Sequence, residues 1–182
     1  NLLLFTPWFV IILLIGLAGW KLLGKLSTGI VFMAMMFVIG GFGYWDLAMR
    51  TLSLVLASVF FSLLIGLPTG IKMARSDRAE RILKPLLDAM QTMPSFVYLI
   101  PALMFFGMGK VPAMFATIIY AVPPVIRLTN VGIRTVDIEA LEAAKAFGAT
   151  PKQILFDVQL PLAKPSIMVG INQTTMMALA MV

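Results

Sequence analysis

The sequence contains no cysteine and no histidine in 182 residues. That removes disulfide frameworks, Cys/His metal sites, thiol nucleophiles and imidazole acid–base chemistry together. Charge is also scarce, at 12% of residues, where a soluble domain carries about a quarter. Its distribution matters more than its amount. Leu2 to Trp20 carries no charge, and neither does Thr51 to Ile71. Each run is long enough to cross a hydrocarbon core about 30 Å thick as a helix rising about 1.5 Å per residue. A phosphate-cradling G-x-x-x-x-G-K-S/T loop is missing too, since Gly107-Met108-Gly109-Lys110 lacks that spacing. We therefore expect an all-α membrane protein, a multi-span helical bundle held in a lipid bilayer.

What is present divides the chain. After the first run comes a short loop with Lys21 and Lys25. A second span is expected from about Gly29 to Trp45, and a third from Thr51 to Ile71. Residues 72–84 form a charged stretch with five basic and two acidic residues. Pro85 to Met93 reads as a short helical connector. The fourth span is expected from about Pro94 to Gly109. A tight turn through Gly107, Gly109, Lys110 and Pro112 leads into a fifth, ending near Ile126. Residues 127–164 are polar, and a last apolar run starts near Pro165. The fourth and fifth spans are short for a bilayer. We expect 1–50 to be N-terminal transmembrane helices and 51–182 to be the core membrane domain. Both ends read as ends of a fragment, with the C-terminal part of the core missing. The opening run lacks a basic leader and a small-residue cleavage site, so it is not read as a signal peptide.

The loops at 21–28, 72–84 and 127–164 hold twelve of the fourteen Lys and Arg, leaving Arg50 and Lys110 for the other side. The positive-inside rule makes those three loops cytoplasmic and puts Asn1 outside, in step with an alternating path. A net charge of +6 would suggest nucleic acid for a soluble protein. Here the basic residues flank apolar runs, so topology explains them and no nucleic-acid partner is expected.

The span centres hold no Asp, Glu, Lys or Arg, which argues against a proton relay or an ion-coupled carrier. Prolines are plentiful instead: Pro68, Pro94, Pro101, Pro123 and Pro124. Each removes a backbone donor, and broken helices in membranes often line a cavity. Shaping of packing alone is the plainer alternative. The fourteen methionines read as gap-fillers in helix packing. Gly40, Gly41 and Gly43, with the serines at 53, 58 and 62, read as small residues for helix approach.

The stretch 137–161 is the most specific. Asp137 suits a helix N-cap, with Glu139 in the first turn. Ile138, Leu141, Ala144 and Phe147 give that helix an apolar stripe. Gly148 stands where a left-handed residue would end it. Thr150 suits a second cap, Pro151 its first helical position, and Gln153 a capping box. Ile154, Leu155 and Val158 face one side, and Leu160-Pro161 closes the second helix before the last span. Interfacial lipid anchors are usually rich in Lys and Arg and bulky on the other face. This hairpin presents Ala140, Ala143, Ala144 and Ala146 beside mixed charge, which suits close docking of another protein.

Glu142-Ala143-Ala144, three residues, Gly148, nine residues, Val158, one residue and Leu160-Pro161 resemble the EAA loop of permease subunits of ATP-binding-cassette importers. The family pattern has Ile where Val158 stands. Residues 81–101, 120–128 and 159–177 are similar to permeases for glycine betaine and proline betaine, and the resemblance covers about Thr51 to Val182. It implies the type I importer permease fold, with a cytoplasmic helix–turn–helix coupling loop using Glu142, Ala143, Ala144, Gly148, Leu160 and Pro161. It implies ATP-driven uptake of glycine betaine, proline betaine or proline for osmoprotection. The implied partners are a separate ATPase subunit that binds ATP and magnesium, a periplasmic or extracellular substrate-binding protein, and a second permease copy in a homodimer. This chain would then be no enzyme and would carry no cofactor. The implied location is the bacterial cytoplasmic (inner) membrane.

Candidate translocation-pathway residues are Phe96, Tyr98, Pro101, Phe105, Tyr120 and Asn172. The aromatic members suit a quaternary ammonium, and equally suit membrane-interface anchoring. Choline, carnitine, phosphonate or amino-acid permeases of the same superfamily are the near alternatives. An ion-coupled secondary transporter, a membrane enzyme built on Asp88, Asp137, Glu139 and Glu142, and a channel or scaffold are the more distant ones.

Overall fold

A computed structural model describes residues 6–182. Asn1, expected outside, and Leu2–Phe5 of the expected first span lie outside the described residues. Those described are helical, with short turns between helices and no strand among them. In chain order they are α1 (Trp8–Leu23), α2 (Leu26–Gly41), α3 (Trp45–Ala74), α4 (Asp77–Thr92), α5 (Phe96–Phe106), α6 (Lys110–Arg134), α7 (Ile138–Ala146) and α8 (Pro151–Met181). Three are long and apolar enough to cross a bilayer: α3 with 30 residues, α6 with 25 and α8 with 31. The pair α4 and α5, bent by 95° at Met93–Ser95, adds a fourth if it is one span. The helices α1 and α2 are shorter apolar helices of 16 residues each.

The chain divides into two compact units, residues 1–54 and 55–182. In the first, α1 and α2 form a hairpin that turns at Gly24. They approach closely because Gly29 leaves no room for a side chain: a Cβ there would come 2.6 Å from the Gly16 carbonyl oxygen. An apolar cleft of about 630 Å³ at one end brings Phe37 together with Trp8 and Trp45, and tryptophan is an amphipathic aromatic that gathers at membrane–water interfaces.

In the second unit, α6 is central. On α3, small residues recur every fourth position at Ser58, Ser62, Gly66 and Gly70, which aligns them on one helix face. The Ser62 hydroxyl donates to the Ile118 carbonyl at 3.4 Å. A Cβ on Gly66 would meet Val125 Cγ1 at 2.3 Å, and one on Gly70 would meet Thr129 Cβ at 2.7 Å. Rising numbers on α3 thus meet rising numbers on α6, so the two run parallel. On an adjoining face, Gly132 faces Ser166 and Gly170 faces Val125 and Leu128, so α6 and α8 are antiparallel. Both pairings fit a chain that crosses the membrane in alternation.

Two elements differ from the sequence expectation. The helix of the fifth span does not stop near Ile126 but continues to Arg134, where its charges have partners on α4, described below. The helix that holds the last apolar run begins well before Pro165, and Leu160-Pro161 does not close the preceding helix. From Pro151 the chain stays helical to Met181 through a wider π-type turn over Ile154–Gln159, where the Leu160 N–H donates to the Leu155 carbonyl. In an α-helix the Pro161 ring would collide with a carbonyl four residues back. The extra residue in the π turn shifts that carbonyl away, so proline is accommodated without a break.

The charged stretch 72–84 is also more ordered than a loop. Ser76 caps α4 by accepting from the Ala79 N–H. Leu83, Leu87 and Met90, spaced four and three apart, turn one face of α4 toward Met73, Val122, Val125 and Ile126. Leu87 is almost wholly buried there, which contributes about 1.5–3 kcal/mol. Met93 takes an extended conformation before Pro94, as residues preceding proline do, and this ends α4.

Candidate functional site

The helix–turn–helix expected at 137–161 is present, and its turn is built from local hydrogen bonds. The Asp137 carboxylate accepts from the Glu139 N–H at 3.0 Å and starts α7. At the other end Gly148 has φ +80°, the left-handed region that glycine enters without steric cost. The Gly148 N–H donates to the Lys145 carbonyl at 2.9 Å, and the Ala149 N–H to the Ala144 carbonyl at 3.0 Å. This is the pair of bonds of a Schellman motif. Thr150 and Gln153 then form a reciprocal capping box that begins α8. Thr150→Ala removes one half of the box. We expect it to cost about 1 kcal/mol of local stability, read as faster amide hydrogen exchange in 150–155 with the rest of the chain unchanged.

The hairpin is fixed to the bundle through one small core. Leu155 is buried against Ile133, Val136 and Ala163, with Leu141, Leu160, Ile71 and Ala74 packed around them. This core joins the hairpin to the ends of α3 and α6. Of the candidate residues, Leu160 is half-buried in this core and Ala144 is half-buried, whereas Glu142, Ala143, Gly148 and Pro161 are exposed. The apolar stripe expected on α7 does not turn inward as a whole. Only Leu141 reaches the core, while Ile138 is 69% exposed and Phe147 is 93% exposed.

Beneath the hairpin lies a polar lattice. Arg134 on α6 donates to Asp77 Oδ1 at 2.8 Å, to the Met73 carbonyl at 3.1 Å and to Asn130 Oδ1 at 3.2 Å, and lies 3.2 Å from Glu80 Oε2. Asn130 donates to Glu80 Oε1 at 3.1 Å. One turn further, Arg127 pairs with Asp88. Arg127, Asn130 and Arg134 share one face of α6, and Asp77, Glu80 and Asp88 share the facing side of α4. On α6 the spacing of three, four and seven was the available signal.

The candidate pathway residues do not form one group. The Tyr98 hydroxyl donates to the Met90 carbonyl at 2.6 Å, and its ring centroid lies 6.3 Å from that of Tyr120. These two join α4, α5 and α6. Phe96 and Phe105 are 73% and 84% exposed, and neither has a ring contact among the described residues. Pro101 and Asn172 are exposed on α5 and α8. No group of three or more acidic side chains with metal-binding geometry occurs among the described residues.

The profile of the family described as binding-protein-dependent transport system inner membrane component matches residues 58–181. The glycine betaine/proline betaine transport system permease protein ProW of Escherichia coli K12 is 52% identical over the whole of this chain, which spans 51% of that protein. The glycine betaine/carnitine transport permease protein GbuB of Listeria monocytogenes is 50% identical over 98% of this chain and 64% of its own length. The chain thus spans about half the length of the E. coli relative. Among solved structures, inward-facing MetNI methionine ABC transporter shares the fold, with a TM-score of 0.65 and 23% identity over 72% of this chain and 68% of that one.

Proposed function

Because the chain belongs to the binding-protein-dependent transport system inner membrane components, we propose that it forms the permease of an ATP-driven importer for glycine betaine, proline betaine and related compatible solutes. The identity of 50–53% to permeases named for glycine betaine supports the solute class. The single observation that carries the coupling role is the rigid, capped turn at Gly148 with Phe147 uncovered beside it. On this reading 51–182 is the permease core, 1–50 adds N-terminal helices, and the hairpin with Glu142, Ala143, Ala144, Gly148, Leu160 and Pro161 faces the cytoplasm. A separate ATPase binds ATP and magnesium and docks on that hairpin. A substrate-binding protein delivers the solute on the other side, and two permease copies enclose the pathway.

The mechanism follows from the packing. Closure of the ATPase pair moves the turn. The Leu155 core carries the motion into the ends of α3, α6 and α8. The polar lattice carries α4 along with α6, and α4 is tied through Tyr98 to α5. Coupling of this kind requires contacts that differ between two states, and the Tyr98–Tyr120 pair, where α4, α5 and α6 meet, is where the pathway would change shape. A quaternary ammonium suits aromatic faces there.

The direct test is uptake of radiolabelled glycine betaine into proteoliposomes holding the full-length protein and its ATPase, with binding protein supplied outside. Uptake that needs both partners and ATP supports the reading, whereas ATP-independent uptake driven by an ion gradient overturns it. Excess unlabelled carnitine or choline in the same assay ranks the solutes. Docking has its own test. Phe147→Ala should leave thermal unfolding of the permease unchanged, because the ring touches little of its own chain. It should weaken ATPase binding about 30-fold, the loss of one central aromatic anchor worth about 2 kcal/mol. Unchanged affinity of the variant would move the docking surface away from the turn.

A further inference from the structure

The helix α3 carries no charge from Thr51 to Ile71, and Lys72 is the first that follows. The boundary between hydrocarbon and headgroups therefore falls beside its last turn. A cleft of about 540 Å³ straddles this boundary, with Pro68 and Ile71 on its apolar side and Lys72, Arg75 and Ser76 on its polar side. Lys72 lies in the last turn of α3 and Arg75 in the short turn that follows it, and both line the cleft. Both are exposed, and neither has an acidic partner among the described residues. The nearest acids in sequence are already engaged, Asp77 and Glu80 by Arg134 and Asp88 by Arg127. Ser76 uses an oxygen lone pair to cap α4, which leaves its hydroxyl proton free to donate.

We propose that this cleft binds the phosphate of an anionic phospholipid, with Lys72 and Arg75 on the headgroup and an acyl chain along Pro68 and Ile71. Charge complementarity selects an anion, and the apolar floor selects one that carries a hydrocarbon tail. A free phosphate ion shares the headgroup chemistry but gains nothing from that floor. The site requires only that the chain span a bilayer, so it stands or falls separately from the importer reading.

Native mass spectrometry of the full-length protein with its ATPase, released from detergent with added phosphatidylglycerol or phosphatidylethanolamine of the same chains, tests it. Each juxtamembrane cation favours an anionic lipid roughly five-fold, so phosphatidylglycerol should bind about 30-fold tighter. The double substitution Lys72→Gln/Arg75→Gln should bring the two lipids level, and Lys21→Gln/Lys25→Gln should keep the preference. Equal retention of both lipids by the unaltered protein overturns the proposal, whether or not any variant folds. So does a preference that survives the first double substitution, or complete displacement of the lipid by inorganic phosphate.

Discussion

Gly148→Val should abolish ATP-driven uptake while leaving the protein inserted and the ATPase able to hydrolyse ATP. The reason is conformational and not steric, because a Cβ at Gly148 would meet nothing within 4 Å. At φ +80° a β-branched residue is a genuine outlier, costing about 1–3 kcal/mol. The chain can relieve that strain by leaving the left-handed region. It then loses the two bonds from Gly148 and Ala149 that close α7, and Phe147 no longer has a fixed direction relative to α8. A loose turn still touches a partner but cannot transmit displacement. Gly148→Asn provides the control, since asparagine tolerates the left-handed region, and it should retain most uptake. The measurement is the ratio of betaine transported to ATP hydrolysed in proteoliposomes. A normal ratio in the valine variant would remove the turn from the coupling path.

The turn was legible in the sequence because its determinants are local. Asp137, Gly148, Thr150 and Gln153 each act on backbone groups within a few residues, so their spacing alone specifies helix, left-handed residue and new cap. Element ends set by tertiary partners were not legible. Arg127 looked like the end of an apolar run, yet the helix passes through it because Asp88 and the Glu80–Asn130–Arg134 group receive its polar face. Leu160-Pro161 looked like a stop, yet a π turn absorbs the proline. Period-3.6 patterning also puts Phe147 in the apolar stripe of α7. The structure leaves it exposed, because apolar spacing shows which residues share a face but not whether that face belongs to the chain's own core.

The same distinction bears on the pathway residues. Tyr98 and Tyr120 share aromatic character, and what brings them together is the antiparallel fold of α5 on α6, with the stacked Phe106–Phe115 pair nearer the turn. Phe96 and Phe105 have the same character on exposed positions. In a bilayer, lipid-facing and pathway-facing aromatics obey the same composition rule. Only helix pairing separates them.

The other large effect is expected at Arg134, and comparison with Arg127 isolates its cause. Both arginines pair with acids of α4, but their surroundings differ. The Arg127–Asp88 side chains are 38% and 52% exposed, so water competes for the pair and Arg127→Met should cost at most about 1 kcal/mol. Arg134 and Glu80 are 30% and 28% exposed, and Arg134 also holds Asn130 and the Met73 carbonyl at the end of α3. Arg134→Met leaves Glu80 Oε2 without its cation and the Met73 carbonyl with only the Ser76 N–H at 3.4 Å, while Asn130 still donates to Glu80, a loss of about 2 kcal/mol. Asp77 adds little, because at 82% exposed it returns to water. Arg134→Lys should not restore the loss, since an ammonium lacks the planar fork that reaches several acceptors at once. Adding Glu80→Gln to Arg134→Met should recover part of it, because the stranded charge is removed. Thermal unfolding in detergent reads all four variants, and equal losses at Arg127 and Arg134 would contradict the assignment. Arg134 joins the ends of α3, α4 and α6 directly under the Leu155 core. Arg134→Met should therefore also lower betaine uptake per ATP, because the hairpin would then push on three helix ends that no longer move together.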